Sequence, residues 1–459
     1  MTADPNRRLW NEAIELMAPE EMRALQLERL KVQCVYNYQN SSFYCGQFEA
    51  AGMVPADVRS FEDFTALPLM TKDDLRRGQE ESIEQFGNPY DILACAPRAD
   101  IVRINSTSGT TGMPTLWTLT AHDVDVVSEM HARKYWRAGI RPGDIVIQAV
   151  SLSMFTGGLP LSQGIQNLGA ACVPVGIEGG TKRVLQFIEL TKSTVIVATP
   201  SFGQYLIEEC PKHTGRPANT LGLKWFMCAG EPGGGDPQMR RLLADGFSAK
   251  VYDHTGGGHA FHGISIDEPP ECYSGMTFVS ADHCLLELVE PSTKQPIALA
   301  DGAEGEMIWT FLDWRGGPLM RFAVGDVASI ATGPSPDGLP GLRFKIIGRA
   351  DDMLIVKGVN IYPTAIQGAI MGHRPHVTGT FRIVLNRPGP KVAPPLRIRI
   401  ERGDHLTEAD TPDIEARLRM QFREDLRINP AFEWVPAGSI ERAAHKTQLI
   451  EIESEESSS

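Results

Sequence analysis

Between residues 144 and 256 five short apolar runs recur: DIVIQAV (144–150), ACVPVGI (171–177), TVIVATP (194–200), LKWFMCAGE (223–231) and KVYDHTG (250–256). Helical patterns such as TKRVLQFIELTK (181–192) separate them. Strands alternating with helices imply a parallel α/β sheet covered on both faces. Ligands of such sheets bind beyond the C-terminal ends of the strands. The loops after Ala149, Ala198, Cys228 and Tyr252 are therefore where chemistry is expected.

A chain of 459 residues is too long for one compact domain. Residues 10–36 read as helix, with Leu16, Met17, Met22, Leu25, Leu27, Leu30 and Val32 at mixed spacings of three and four. In PLMTKDDLRR (68–77), Thr71 precedes Asp73 and Asp74, as a helix cap precedes an acidic first turn. From about 275 to 348 the runs CLLELVEP, GEMIWTFL, DVASIA and LRFKIIG alternate between Gly and Pro clusters, which suits an antiparallel barrel or meander. The segment GRADDMLIVKGVNIYP (348–363) opens a last region holding FRIVLN, LRIRIE and the helical DIEARLRMQFREDL. The expected fold class is α/β. A large N-terminal domain, 1–348, has a helical start, a parallel α/β core and a small β-barrel-like part near 275–348. A small α+β domain, 349–459, follows.

The balance of 57 acidic against 44 basic residues, a formal net charge of −13, argues against nucleic acid or an anionic membrane as partner. It leaves room for anionic small ligands, which local loops can hold. Eight cysteines form no CxxC pair, so a reducing, cytoplasmic setting is expected. The start, MTADPNRRLWNEAIEL, has no apolar core of signal-peptide length, and no run of about eighteen apolar residues predicts a membrane span.

NSTSGTTGMPTL (105–116) is dense in hydroxyls and glycines. Glycines let backbone N–H groups approach an anion, and Ser and Thr add donors. The Gly-Lys-Ser/Thr ending of a Walker loop is absent. The string STSGTTGxPT resembles the phosphate-binding signature of adenylate-forming ligases, the acyl-CoA synthetase superfamily. Further segments resemble that family in the same order: AGEP (229–232), Tyr252, RFAVGD (321–326), the linker 348–363 and ERAAHKTQLIE (441–451). Within the superfamily, FTGG (155–158), ATPS (198–201) and DDMLIVKGVNIYP resemble phenylacetate–coenzyme A ligases.

This resemblance implies two half-reactions. A carboxylate attacks the α-phosphate of ATP, giving an acyl-adenylate and pyrophosphate; a thiol, usually of coenzyme A, then displaces AMP. It implies that Thr107, Ser108, Gly109, Thr110, Thr111 and Gly112 hold the β- and γ-phosphates. Gly230, Glu231, Pro232, Tyr252, Asp253, Asp326 and Arg349 would surround adenine and ribose, with Tyr252 stacked on the base. Lys446 and Thr255 are the implied catalytic residues, facing the carboxylate and the α-phosphate. Asp351 is the implied hinge of a mobile C-terminal domain. Lys357 and Gly358 would serve the second half-reaction. Phe155, Thr156, Gly157, Gly158, Thr199, Pro200, Gly256 and His254 would line the acyl pocket, where an aromatic side chain and small glycines suit a flat ring. Implied small molecules are ATP, Mg²⁺ and coenzyme A. A carrier-protein partner and a homodimer are both compatible with the resemblance.

The chain departs from the family at three places. Met113 stands where lysine is common, and Ala323 where a second arginine is common. The pattern Tyr-Gly-x-Ser/Thr-Glu reads Tyr252-Asp253-His254-Thr255-Gly256, so the carboxylate that normally helps hold Mg²⁺ is missing. Mg²⁺ is then left to phosphate and water, or another acid reaches in; alternatively the glycines open the pocket to a bulkier or differently charged substrate. His254, His259, His262, Cys272, His283 and Cys284 fall close together but match no regular zinc spacing. They are read first as polar or pocket groups, and the metal site stays undefined. The expected activity is an aryl-CoA ligase. Alternatives are an aryl-acid adenylating enzyme of secondary metabolism with a carrier protein or amine as acceptor, an ATP- and nitrite-dependent diazotising relative, and a non-enzymatic sensor.

Overall fold

The computed structural model describes residues 7–106, 114–154, 156–357, 359–404, 406–441 and 449–453. A hairpin, β1 (Ile101–Ser106) and β2 (Leu116–Thr120), precedes the main sheet. The five expected runs form β3 (Ile145–Gln148), β4 (Ala171–Pro174), β5 (Val195–Ala198), β6 (Trp225–Cys228) and β7 (Lys250–Thr255). All neighbours among them are parallel, in the order β7-β6-β5-β3-β4. Helices Leu159–Leu168, Thr181–Thr191, Pro200–Thr214 and Pro237–Phe247 make the crossovers. Every residue of β5 is buried, as a central strand covered on both faces requires. Met239, Leu243 and Phe247 lie four residues apart on helix Pro237–Phe247 and turn inward, where Phe247 stacks on Phe226 at 5.2 Å.

After β7 the pairing reverses. β8 (Gly263–Ser265), β9 (Met276–Phe278), β10 (Cys284–Val289), β11 (Pro296–Ile297), β12 (Glu304–Phe311), β13 (Phe322–Ala331) and β14 (Arg343–Arg349) are antiparallel to their neighbours. The part expected near 275–348 thus continues the parallel sheet edge to edge. Its order, β11-β10-β12-β13-β14-β9-β8-β7-β6-β5-β3-β4, makes one open array of twelve strands. Among the described residues β14 alone links β13 to β9 in that order.

The helix expected over 10–36 is broken. It forms Glu12–Glu15 and Pro19–Asn40, with Ala18 extended at φ −63°, ψ 146°. A residue before proline is driven out of the helical region, and proline then suits the first helical position. The inward face also differs from the apolar spacing. Leu16 and Val32 are exposed, whereas Gln26, Leu30, Gln33, Cys34 and Asn37 are buried. The amides reach backbone groups no leucine could satisfy: Gln33 Nε2 donates to the Trp314 carbonyl and Gln33 Oε1 accepts from the Trp314 N–H, both at 2.8 Å. The Thr71 cap is present, with Thr71 Oγ1 accepting from the Asp74 N–H.

Beyond Arg349 a four-stranded sheet (Val377–Leu385, Arg397–Arg402, Ala431–Val435, Ile450–Ile452) and helices Pro363–Met371 and Thr411–Asp425 enclose a separate core around Ile383, Ile400 and Phe422. Met371 leaves that core and packs with the cluster of Phe226, Leu243 and Phe247. Among the described residues no helix is long and apolar enough to cross a membrane.

Candidate active site

The C-terminal ends of β3, β5, β6 and β7 lie side by side, and three glycine-bearing segments meet beyond them. β7 ends at Thr255, and Gly256 follows with φ +114°, a conformation strained for any side chain. A Cβ at Gly256 would run into the His262 ring. One at Gly257 would come within 2.6 Å of the Thr156 carbonyl oxygen, and one at Gly258 would run into the Asn105 amide. The side-chain space beside each of these glycines is already filled by a neighbouring group. The same contacts bring Thr156 of the FTGG turn, Asn105 of the hydroxyl-rich loop and the turn after β7 together.

Residues 107–113, which include the expected phosphate loop, lie outside the described residues, as do Phe155, Gly358 and Lys446. Both flanks of the loop are anchored. The Ser106 N–H donates to the Met154 carbonyl at 3.0 Å. On the other side the buried Gln79 donates to the Pro114 carbonyl at 3.0 Å and accepts from the Leu116 N–H at 2.7 Å. Gln148, fully buried at the end of β3, donates to the Gly158 carbonyl at 2.8 Å and accepts from Ser162. It fixes the turn through Thr156, exposed Gly157 and buried Gly158. The Gly230-Glu231-Pro232 turn meets the start of helix Pro200–Thr214. Thr199 Oγ1 caps the Phe202 N–H at 3.2 Å, and Glu231 accepts from the Ser201 N–H at 2.7 Å. A carboxylate at a helix N-terminus completes donors the helix leaves open.

Alternation along β7 sends Tyr252 and His254 to one face and Asp253 and Thr255 to the other. Tyr252, expected to stack on adenine, is 3% exposed and packs with Val197, Met227 and Ile264, so its ring presents no open face here. Asp253 accepts from the Tyr273 hydroxyl at 2.7 Å and abuts Gly234. Burial raises its pKa against the pull of that hydrogen bond. It shapes the loop after Glu231.

Across the sheet, β13 and β14 pair Asp326 with Arg349. Arg349 Nη1 donates to Asp326 at 2.6 Å, and Arg349 holds Asp351 through Nε at 2.8 Å and Nη2 at 2.9 Å. Burial opposes the guanidinium charge, but the bonds and charges of Asp351 and Asp326 outweigh it and raise the Arg349 pKa. Burial likewise opposes the Asp351 carboxylate, and the Arg349 bonds outweigh it and hold its pKa down. Lys72 lies 3.7 Å from Asp351, so the expected hinge residue touches the N-terminal part. Lys357 is exposed, in a left-handed conformation at φ 51°.

A group that sequence reading missed lies behind β7, on helix Ala121–Arg137. Its stretch from Met130 to Trp136 is entirely buried. His131 and Lys134, three residues apart and so on one face, reach the turn after Thr255. Lys134 Nζ donates to the Thr255 carbonyl at 2.9 Å and the Gly256 carbonyl at 3.4 Å, and lies 3.4 Å from His254 Nδ1. His131 Nε2 meets the Gly257 carbonyl at 3.2 Å. His254, expected in the acyl pocket, is 4% exposed and faces this cluster. Burial, reinforced by neighbouring Lys134, drives His131, His254 and His262 well below the usual imidazole pKa and His259 to about 3; burial also drives Lys134 well down. The one available signal was charge inside an otherwise apolar helix face, HARKYW (131–136). Among the described residues no three His, Cys, Asp or Glu side chains converge to hold a metal. A hollow of about 510 Å³, lined by Trp225, Ala244 and Lys250, lies at the opposite ends of β6 and β7, away from these groups.

Comparison with known proteins gives the same reading. The AMP-binding enzyme family model matches residues 49–310, and the AMP-binding enzyme C-terminal domain model matches 358–451. A phenylacetate-coenzyme A ligase of Thermus thermophilus is 30% identical over 449 residues, covering 95% of this chain and 97% of the relative. The crystal structure of 2-hydroxyisobutyryl-CoA ligase in the postadenylation state, in complex with R3-HIB-AMP, is 26% identical. It superposes with a TM-score of 0.87, covering 98% of this chain and 95% of the other. The same ligase in the thioesterification state, in complex with 2-HIB-AMP and CoA, is 27% identical over 99% and 95% of the two chains, with a TM-score of 0.69. Matched along nearly its whole length by such relatives, the chain belongs to the AMP-binding enzyme family.

Proposed function

We propose that this chain is an aryl-CoA ligase that activates an aromatic carboxylic acid through an acyl-adenylate. In the first step a carboxylate oxygen bonds to the α-phosphorus of ATP and the α–β P–O bond breaks, releasing pyrophosphate. In the second the sulfur of coenzyme A bonds to the acyl carbon, the C–O bond to AMP breaks, and the thiol proton is lost. The carrying observation is similarity to phenylacetate-coenzyme A ligases over 95% of the chain. Both steps build negative charge, so fixed donors dominate catalysis. Thr255 at the end of β7 faces the α-phosphate in this reading. Asp326 and Arg349 take the ribose, and Lys446 bridges carboxylate and phosphate as a compact charge on a long stem.

The domain boundary is placed at 348/349 with Asp351 as the hinge. The higher TM-score to the postadenylation form supports reading the present arrangement as the one that follows adenylation. With glycine at 256, Mg²⁺ would be held chiefly by the phosphates of the nucleotide and by water, where it would offset the charge of the leaving pyrophosphate.

The test is pyrophosphate release over a panel of aryl acids, with and without coenzyme A. Release with an aryl acid, followed by a thioester when coenzyme A is added, is the expected result. Adenylate without thioester moves the acceptor to a carrier thiol or amine. No release with any acid sinks the ligase reading.

A further inference from the structure

We propose that Lys134, with His131 one turn before it, is a positioning residue that sets the Thr255–Gly257 turn, and so the place of the Thr255 hydroxyl, for the ligase reaction. The inference rests on the reading of Thr255 given above.

Thr255 pairs with Gly263 of β8, but the glycines that follow it carry no side chain to fix the turn. Three consecutive glycines follow Thr255, and glycine leaves a chain its widest conformational freedom. Hydrogen bonds from the neighbouring helix supply what the turn lacks. Lys134 holds the carbonyls of Thr255 and Gly256, and His131 meets that of Gly257. His262 occupies the space beside Gly256 and Asn105 the space beside Gly258. Four side chains from three separate segments thus converge on four consecutive residues.

Stability alone does not account for a lysine at this place. Lys134 is fully buried, and among the described residues no carboxylate lies within ion-pair distance. A buried amine without a counter-ion is costly, and an apolar side chain of similar length would fill the space more cheaply. What the amine alone provides is donors aimed at two adjacent carbonyls. Nζ lies 2.9 Å from the Thr255 carbonyl oxygen, 3.4 Å from that of Gly256 and 3.4 Å from His254 Nδ1, so its N–H groups are directed at the turn. A shift of about 1 Å at a catalytic group costs on the order of 100-fold in rate, so a turn held from outside is a point of control over the reaction.

The experiment uses the full chain with the aryl acid that supports pyrophosphate release. Lys134→Met is expected to lower kcat for adenylate formation by about 10-fold or more, with KM for the acid and for ATP changed by less than about threefold. Amide hydrogen exchange in the peptide spanning 255–258 is expected to rise, with exchange in β5 and β6 unchanged. His131→Gln, whose amide can reproduce the Nε2 donor, is expected to stay within about threefold of the parent, and His131→Leu to fall about tenfold. If Lys134→Met folds and keeps its kcat per active site, or if exchange in 255–258 does not change, the proposal is overturned. Should Lys134→Met not fold, equal activity of the two His131 variants overturns it instead. A parent chain that releases no pyrophosphate with any acid counts against the ligase reading; the exchange measurement then decides on Lys134 by itself.

Discussion

At the scale of single residues, the site is decided by what stands where a side chain is missing. Gly256 stands where the family resemblance implies a carboxylate, and the His262 ring fills the space a Cβ would need. Gly256→Glu therefore restores a charge the site has no room for. It is expected to lower stability by roughly 1–3 kcal/mol through overpacking and the positive φ, read as a drop in Tm. His262→Ala in the same chain should recover part of the loss; a double variant no more stable than the single one would refute the packing explanation. The sequence shows that a carboxylate is absent at 256, because Tyr252 and Thr255 keep the register of the pattern. It does not show what fills the space, because His262 reaches it only once β7 turns into β8.

At the scale of elements, helix Ala121–Arg137 and the β7–β8 connection enclose His131, His254, His259 and His262 as neutral bases. Their folded pKa values lie below the ordinary 6.5, so the unfolded chain binds protons that the folded one refuses. Stability is then full above the unfolded value and falls as pH drops below about 6.5, for His259 down to its folded value of about 3. By pH 5.5 the loss should be roughly 1 kcal/mol for each histidine. Urea melts at pH 8 and pH 5.5 check this, and His259→Asn should flatten the dependence. The parallel strands and crossover helices were legible because their periodicity is local. The broken N-terminal helix was legible only in part. Its proline marks the break, but its buried face carries Gln26 and Gln33, which reach backbone groups far along the chain. The Lys134–His131 cluster was illegible for the same reason: its partners lie about 120 residues away.

At the scale of the whole molecule, two half-reactions must share one site, and the reading assigns them to two arrangements of the C-terminal part. Met371 and the Lys72–Asp351 pair join that part to the large one here. Lys446→Ala is expected to abolish adenylate formation while sparing thioester formation from supplied adenylate, measured by separate assays of each step. Equal loss of both would remove Lys446 from its assigned role. The order of the large sheet adds a consequence for synthesis. Among the described residues β14 is the strand that joins β13 to β9, and it is also the last strand of that sheet to leave the ribosome. A nascent chain ending before residue 343 holds two unjoined sheets with open edges, one built on β12 and β13 and the other running from β9 to β4. Arg349 is the final residue of the joining strand, so the translation step that seals the sheet also delivers the guanidinium that pairs with Asp326.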